Sequence, residues 1–305
     1  MLPNKNYEGL DLEFWANVKL LNQRLGYCER KSKSCVNPDF VIPTKEQIIK
    51  VFNGEKLDVS RLVKDNKLTS DGQLLVSYLT YRKDTLNKLV EPNLMDKIKA
   101  KELFYSYKER FKPSWTLPLN KQKDEKRDYA YLTGIINILL EANLKGSPCD
   151  YDPHQLTAIT KDNFPIRTLS RRVDGAFPNV IDPIAIWEIK EYYYTTTFGS
   201  RVADGVYETQ LDGWELKECY DSLGVDIKHY LFVDDYYTWW VLGRSYLCRL
   251  IDTMHMGLVT EVIFGKEVLT RLPEIIDEWL NAYTPKSIGI TPDLFSKLTN
   301  NTNYF

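Results

Sequence analysis

No stretch of the sequence stays apolar for the roughly 18 residues that a membrane-spanning helix requires. The amino terminus, MLPNKNYEGLDLEFW, has neither a basic flank leading into an apolar core nor an Arg-rich amphipathic pattern. Neither a transmembrane helix nor an export or organelle signal is expected, and the reading is of a cytoplasmic protein. Cysteine is sparse and odd in number (Cys28, Cys35, Cys149, Cys219 and Cys248), which fits reduced thiols rather than a disulfide framework. The Cys28 to Cys35 spacing is too loose for a zinc knuckle and His154, His229 and His255 form no pair at ligand spacing, so structural zinc is not expected. An excess of charge is missing too. The 40 basic and 42 acidic side chains leave a net −2, which excludes binding nucleic acid by overall charge alone but leaves room for a local basic cleft. There are no internal repeats and no low-complexity segments.

What is present is a globular composition, 43% hydrophobic and 27% charged over 305 residues, enough for one large domain or two ordinary ones. The first hundred or so residues read as helices. Thr44 with Gln47, and Ser70 with Gln73, form capping-box patterns ahead of apolar periodic runs, and a third helix is expected through LMDKIKAKELFYSYKERF. The charge-dense segment 120–128 reads as an exposed connection, so a boundary is placed near residue 120. Beyond it the order is helix (YAYLTGIINILLEANL), hairpin (TLSRRVDGAF and IAIWEIKEYYYTTT), helix (VYETQLDGWELKECYDSLG), then strand-like IKHYLFVDD and YTWWVLG. Helical SYLCRLIDTMHMG, strand-like EVIFG and helical EIIDEWLNAY follow. That grammar predicts an α/β fold with helices packed on a mixed sheet.

The chemically informative segment runs from Arg171 to Tyr194. Its two strand-like halves flank Pro178-Asn179-Val180-Ile181-Asp182-Pro183, and a hairpin centred on Ile181 sets Asp174 and Glu188 at equal distance from the centre. Directly opposed cross-strand residues have Cβ atoms about 4.5–5.5 Å apart, close enough for two carboxylates to share a divalent cation. Period-two alternation puts Ile186, Glu188 and Lys190 on one face and Ala185, Trp187 and Ile189 on the other. Charges in such an apolar strand persist when they are paired or hold a metal. Asp65-x-Lys67, Asp124-x-Lys126, Glu215-x-Lys217 and Asp226-x-Lys228 repeat the bare triplet, but all four sit in polar or helical surroundings and read as solvated faces.

Asp174 followed by Glu188-Ile189-Lys190 at the end of an apolar strand resembles the PD-(D/E)XK nuclease superfamily, which includes most type II restriction endonucleases. The resemblance covers roughly residues 129 to 265, with Val173 where the family's name has proline. It implies a restriction-endonuclease-like three-layer core over 121–305, with a mixed central sheet flanked by helices. The helical region 1–120 would then read DNA, make a dimer contact, or both. It implies Mg²⁺, with Mn²⁺ able to substitute, held by Asp174 and Glu188, and Lys190 positioning and polarising the attacking water. Carboxylate oxygens suit those hard ions. The family often adds an acid from the preceding helix. Glu141 is the candidate, in a stripe with Thr133 and Asn137 that reads equally as a solvent face. The implied substrate is double-stranded DNA, and the implied assembly a homodimer.

Arg171, Arg172, Thr196, Ser200 and Arg201 flank these residues and are candidate DNA contacts, with a plain surface loop as the alternative for the last three. Lys31, Lys33 and the basic cluster in 121–127 are weaker candidates for the same face. Gln210, loosely like a Gln-x-x-x-Tyr element with Trp214 four residues on, reads better as helix surface, and so does Glu208 on the same helix, with a group behind the site as its lesser reading. Trp187, Trp239 and Trp240 are expected in the core rather than stacked on bases. Other nucleases of the superfamily, a non-cleaving DNA-binding module and a glycosidase-like pair of carboxylates remain rival readings.

Overall fold

The computed structural model describes residues 1–29, 39–120, 128–195 and 199–283. Lys31, Lys33, the basic cluster 121–127 and Thr196 lie outside the described residues. Helix α1 (Leu12–Leu25) starts at Asp11, whose carboxylate accepts from the Phe14 amide, and α2 (Lys45–Gly54) starts at Thr44 with the expected capping box to Gln47. A two-residue hairpin, β1 (Val63–Lys64) with β2 (Lys67–Leu68), leads into α3 (Ser70–Thr85). The cap of α3 is Thr69, one residue before the expected Ser70, because the extended backbone at Thr69 lets its hydroxyl accept from Gly72. A π-helical stretch, Leu86–Val90, joins α3 to the short α4 (Glu91–Asn93). Helix α5 (Lys97–Phe111) follows from an Asp96 cap and ends at Lys112 in the left-handed region. The first three helices close over Trp15, Val18, Leu21, Ile48, Leu75 and Tyr78.

The second part begins with α6 (Tyr131–Asn143) and a hairpin, β3 (Ala158–Lys161) with β4 (Phe164–Thr168). Then come β5 (Gly175–Phe177), β6 (Ala185–Glu191), α7 (Ser200–Leu223), β7 (Lys228–Asp234), α8 (Arg244–His255), β8 (Glu261–Phe264) and α9 (Val268–Ala282). The last four strands form one sheet in the order β5-β6-β7-β8, with β5 antiparallel to β6 and the other pairs parallel. Ala185, Trp187, Tyr230, Phe232 and Ile263 face α5, α6 and α9, whereas Leu231, Val233, Val262 and Phe264 face α7 and α8. The fold is therefore a three-layer mixed α/β arrangement. Among the described residues no helix is long and apolar enough to cross a membrane.

Two further expectations change. Segment 237–243, expected as a strand, is π-helical over Tyr236–Leu242 and capped by Asp235, whose carboxylate accepts from the Thr238 amide. A strand would send Trp239 and Trp240 to opposite faces, yet both are buried in the same cluster against α8. TLSRRVDGAF is not continuous strand either: β4 ends at Thr168 and β5 begins only at Gly175. Trp187, Trp239 and Trp240 are core residues, and Trp187 stacks on Trp279 with ring centroids 5.5 Å apart.

Candidate active site

The ladder pairs Gly175 with Trp187, Ala176 with Ile186 and Phe177 with Ala185, the register of a hairpin centred on Ile181. The Asp174 amide donates to the Trp187 carbonyl at 3.1 Å, so the next position outward sets Asp174 against Glu188. Only glycine fits at 175, since a Cβ there would lie 2.0 Å from the Trp187 indole. Because β5 stops at Gly175, no strand among the described residues flanks that edge of β6 beyond Glu188. The Asp174 carboxylate takes that place and accepts from the Ile189 amide at 2.8 Å.

Across β6, α7 lies on the face carrying Glu188 and Lys190. Gly205 leaves room there for the stem of Lys190, whose Cδ would be 3.2 Å from a Cβ at that position. Glu188 is fully buried, with Lys190 Nζ 2.8 Å and Arg171 Nη1 2.9 Å from its carboxylate. Lys190 also meets Glu208 at 3.0 Å, and Arg171 reaches Asp212 at 2.6 Å and Glu208 at 3.4 Å. The result is an ion cluster in which Arg171 and Lys190 thread between Glu188, Glu208 and Asp212, with Asp174 at its open side.

Mutual charge sets the protonation of the cluster. Burial alone would raise the Glu188 carboxyl, but Lys190 and Arg171 outweigh it and hold it below its ordinary value. Burial pulls Lys190 down, and the attraction of Glu188 and Asp174 overcomes this and raises it. Asp212 is pushed up to about 7 by burial and by the Glu188 charge. Asp174 is pushed up to about 6 by the surrounding protein and then by Glu188.

On the far side of β6 a cleft of about 760 Å³ opens beside Asp174, Ile189, Glu191 and Arg201. Glu191 caps α6 from outside that helix, accepting from the Leu132 amide at 2.6 Å and from the amide and hydroxyl of Thr133 at 3.3 Å each. The helix has no side-chain cap of its own at Ala130, so its positive end falls to Glu191. Burial nevertheless pushes the Glu191 carboxyl up to about 7, with the Asp174 charge adding to it.

The donor set is carboxylate oxygen, which suits a hard divalent ion. Among the described residues Asp212 Oδ1 is buried without a hydrogen-bond partner, and Glu188 Oε1 has only the unaligned Arg171 contact. These oxygens fit a metal such as Mg²⁺, although among the described residues no three acidic, histidine or cysteine side chains converge as a ready-made site. Arg171 and Lys190 stand between the carboxylates instead.

The structure brings Asp174, Glu188 and Lys190 together and adds Glu208 to them. Glu141 is elsewhere: both its oxygens are taken by the Ser114 and Trp115 amides, and one also by the Ser114 hydroxyl. Its stripe is not a solvent face, because Asn137 is buried and Thr133 engages Glu191. Arg171 faces carboxylates rather than phosphate, since the segment after β4 turns it under α7. Arg172 and Ser200 are exposed outside the cleft lining, whereas Arg201 is exposed at the cleft itself. Gln210 donates to Thr253 on α8 at 2.9 Å, away from the cluster. Sequence reasoning missed Asp212 and Glu191. A signal existed for the first, because Glu208, Asp212 and Glu215 recur at i, i+4 and i+7 and Glu215 binds Arg167 and Ser170 in parallel fashion.

A model described as a domain of unknown function (DUF7687) matches residues 95–279, and a second such model (DUF7690) matches residues 1–89. No curated protein and no solved structure matches the chain.

Proposed function

We propose, for a chain that belongs to the DUF7687 family of domains of unknown function, that it is a divalent-metal-dependent endonuclease hydrolysing DNA phosphodiester bonds. A type II restriction enzyme, acting as a homodimer on a specific duplex sequence, is the form we favour. One observation carries the reading: Asp174 and Glu188 are opposed across a hairpin, Lys190 shares the buried Glu188 face, and Asp174 alone of the three lines the open cleft on the other side of β6. The order helix, hairpin, helix, strand over α6, β5, β6, α7 and β7 supports the restriction-endonuclease-like form of the three-layer core.

Asp174 and Glu188 would hold Mg²⁺ or Mn²⁺. When bound, such an ion supplies charge at the scissile phosphate and acidifies a water. The protein's own residues do the rest. Lys190, charged and gripped by Glu188 and Glu208, presents an ammonium to the oxygen that attacks phosphorus. Arg171 ties the segment before β5 to α7 and balances Glu188 while no other cation is near. Arg201, at the cleft and unpaired among the described residues, is placed for a phosphate contact.

A second reading, a DNA-binding module without cleavage, is favoured by one feature: Arg171 and Lys190 already neutralise the buried carboxylates. Incubation with plasmid or phage DNA in Mg²⁺, against an EDTA control, separates the two. Discrete bands only in Mg²⁺ support a restriction enzyme and a smear a nonspecific nuclease. A shifted but intact duplex supports the module and overturns the nuclease.

A further inference from the structure

The cleft beside Asp174 contains a polar group that the fold does not use. Asn137, on the second turn of α6, is 2% exposed and lines the cleft, and its Oδ1 is buried with no hydrogen-bond partner among the described residues. An orphaned buried carbonyl oxygen is destabilising, and most buried ones are paired. Asn137 also lies one helical turn from Thr133, which Glu191 holds in place, so the amide sits on a fixed frame.

The remaining walls select what meets that amide. Tyr151 lines the cleft and is stacked on Trp115 with centroids 4.1 Å apart and planes 10° apart, a flat aromatic platform. Asp150 makes the interior acidic, while Asp174 and Arg201, the arginine among the lining residues, are exposed. Phosphate is repelled from the interior and attracted to the arginine, so the part of a nucleotide that enters is the uncharged base. The volume of about 760 Å³ is that of a small-molecule pocket rather than a duplex groove.

We propose that this cleft receives a single nucleobase, extruded from a duplex or already single-stranded, which stacks on Tyr151 and is read by the Asn137 carboxamide. Adenine is the favoured base, because an asparagine amide satisfies its adjacent donor and acceptor in one bidentate pair. The assignment of a nucleic-acid substrate rests on the nuclease reading; the pocket itself does not.

Uncharged nucleosides test it without metal or phosphate. Wild-type protein in EDTA is titrated with deoxyadenosine, deoxyguanosine, deoxycytidine and thymidine, followed by saturation-transfer NMR. Deoxyadenosine is expected to bind best. Asn137→Leu should weaken it at least about tenfold, the loss of one bidentate pair, while leaving the melting temperature unchanged or raised. Tyr151→Leu should weaken all four nucleosides and keeps the test decisive if the first variant does not fold. No nucleoside binding by wild type, or Asn137→Leu binding deoxyadenosine as wild type does, overturns the proposal. DNA cleavage without nucleoside binding removes the pocket and leaves the nuclease. Nucleoside binding by a protein that never cuts DNA supports the pocket and removes the nuclease.

Discussion

Buried carboxyl groups keep their protons to unusually high pH, Glu191 and Asp212 to about 7 and Asp234 to about 8, and burial raises Asp235 as well. An unfolded chain releases such protons near pH 4. Between about pH 4 and 8 the folded state therefore holds more protons, and stability falls as pH rises. Glu188 acts in the opposite sense: its lowered value adds stability above the ordinary carboxylate range, which is lost on acidification. The melting temperature should accordingly be higher at about pH 5.5 than at pH 8, and Mg²⁺ or Ca²⁺ should recover part of the loss at pH 8 by binding the ionised carboxylates. A flat profile, or one rising toward pH 8, would contradict these protonation states. Lys190→Met should cut DNA turnover by about two orders of magnitude or more. Because Arg171 still partners Glu188, its stability cost should be only about 1–3 kcal/mol. A folded variant cutting at the wild-type rate removes Lys190 from the mechanism. At this scale the opposition of Asp174 and Glu188 was legible from equal spacing about Ile181, since register follows from turn geometry. The cation between Glu188 and Asp212 was not, because Arg171 lies in an irregular segment where periodicity says nothing about direction.

The hairpin of β5 and β6 depends on Gly175, where any side chain meets the Trp187 indole. Gly175→Ala should cost about 1–3 kcal/mol through overpacking and lower cleavage by displacing Asp174, measurable as a lower melting temperature with a slower cut. If the variant melts and cuts like wild type, the close approach is not what sets the hairpin. Among the elements, α2, α5, α6, β6, β7, α8 and β8 follow from caps and periodicity in the sequence. The π-helical Tyr236–Leu242 did not, because aromatic and β-branched composition favours a strand and only the Asp235 cap argues otherwise. The β3 and β4 hairpin was also missed. Its strand β4 is largely exposed, with Phe164 74% accessible, so no buried face marks it. The Asp162-Asn163 turn, both residues at positive φ, was the available signal.

At the scale of the molecule, the helices before residue 90 are fastened to the α/β layers by a buried charge network. Arg82 meets Asp252 of α8 at 2.9 Å and Asn22 at 3.0 Å, and the Tyr78 hydroxyl donates to Asp252 at 2.6 Å. Asp252→Ala strands Arg82 and should cost about 3–5 kcal/mol, with limited proteolysis then opening residues 1–89 first. An unchanged melting curve would show that the network does not join the two regions. Helix α5 packs with α6, Phe104 lying directly against Gly134, so it shares a core with residues on the far side of the boundary near 120. Polar composition marks an exposed connection well, but it does not say which core the flanking helices join. The central claim, that opposed carboxylates on one hairpin form a nuclease centre, is tested most directly by one cleavage time course. Wild type, Asp174→Asn and Glu188→Gln are compared on the same DNA in Mg²⁺, with folding checked by circular dichroism. The account predicts that wild type cuts and that both folded variants fall by about two orders of magnitude or more. A wild type that leaves DNA intact, or either variant cutting at its rate, would contradict it.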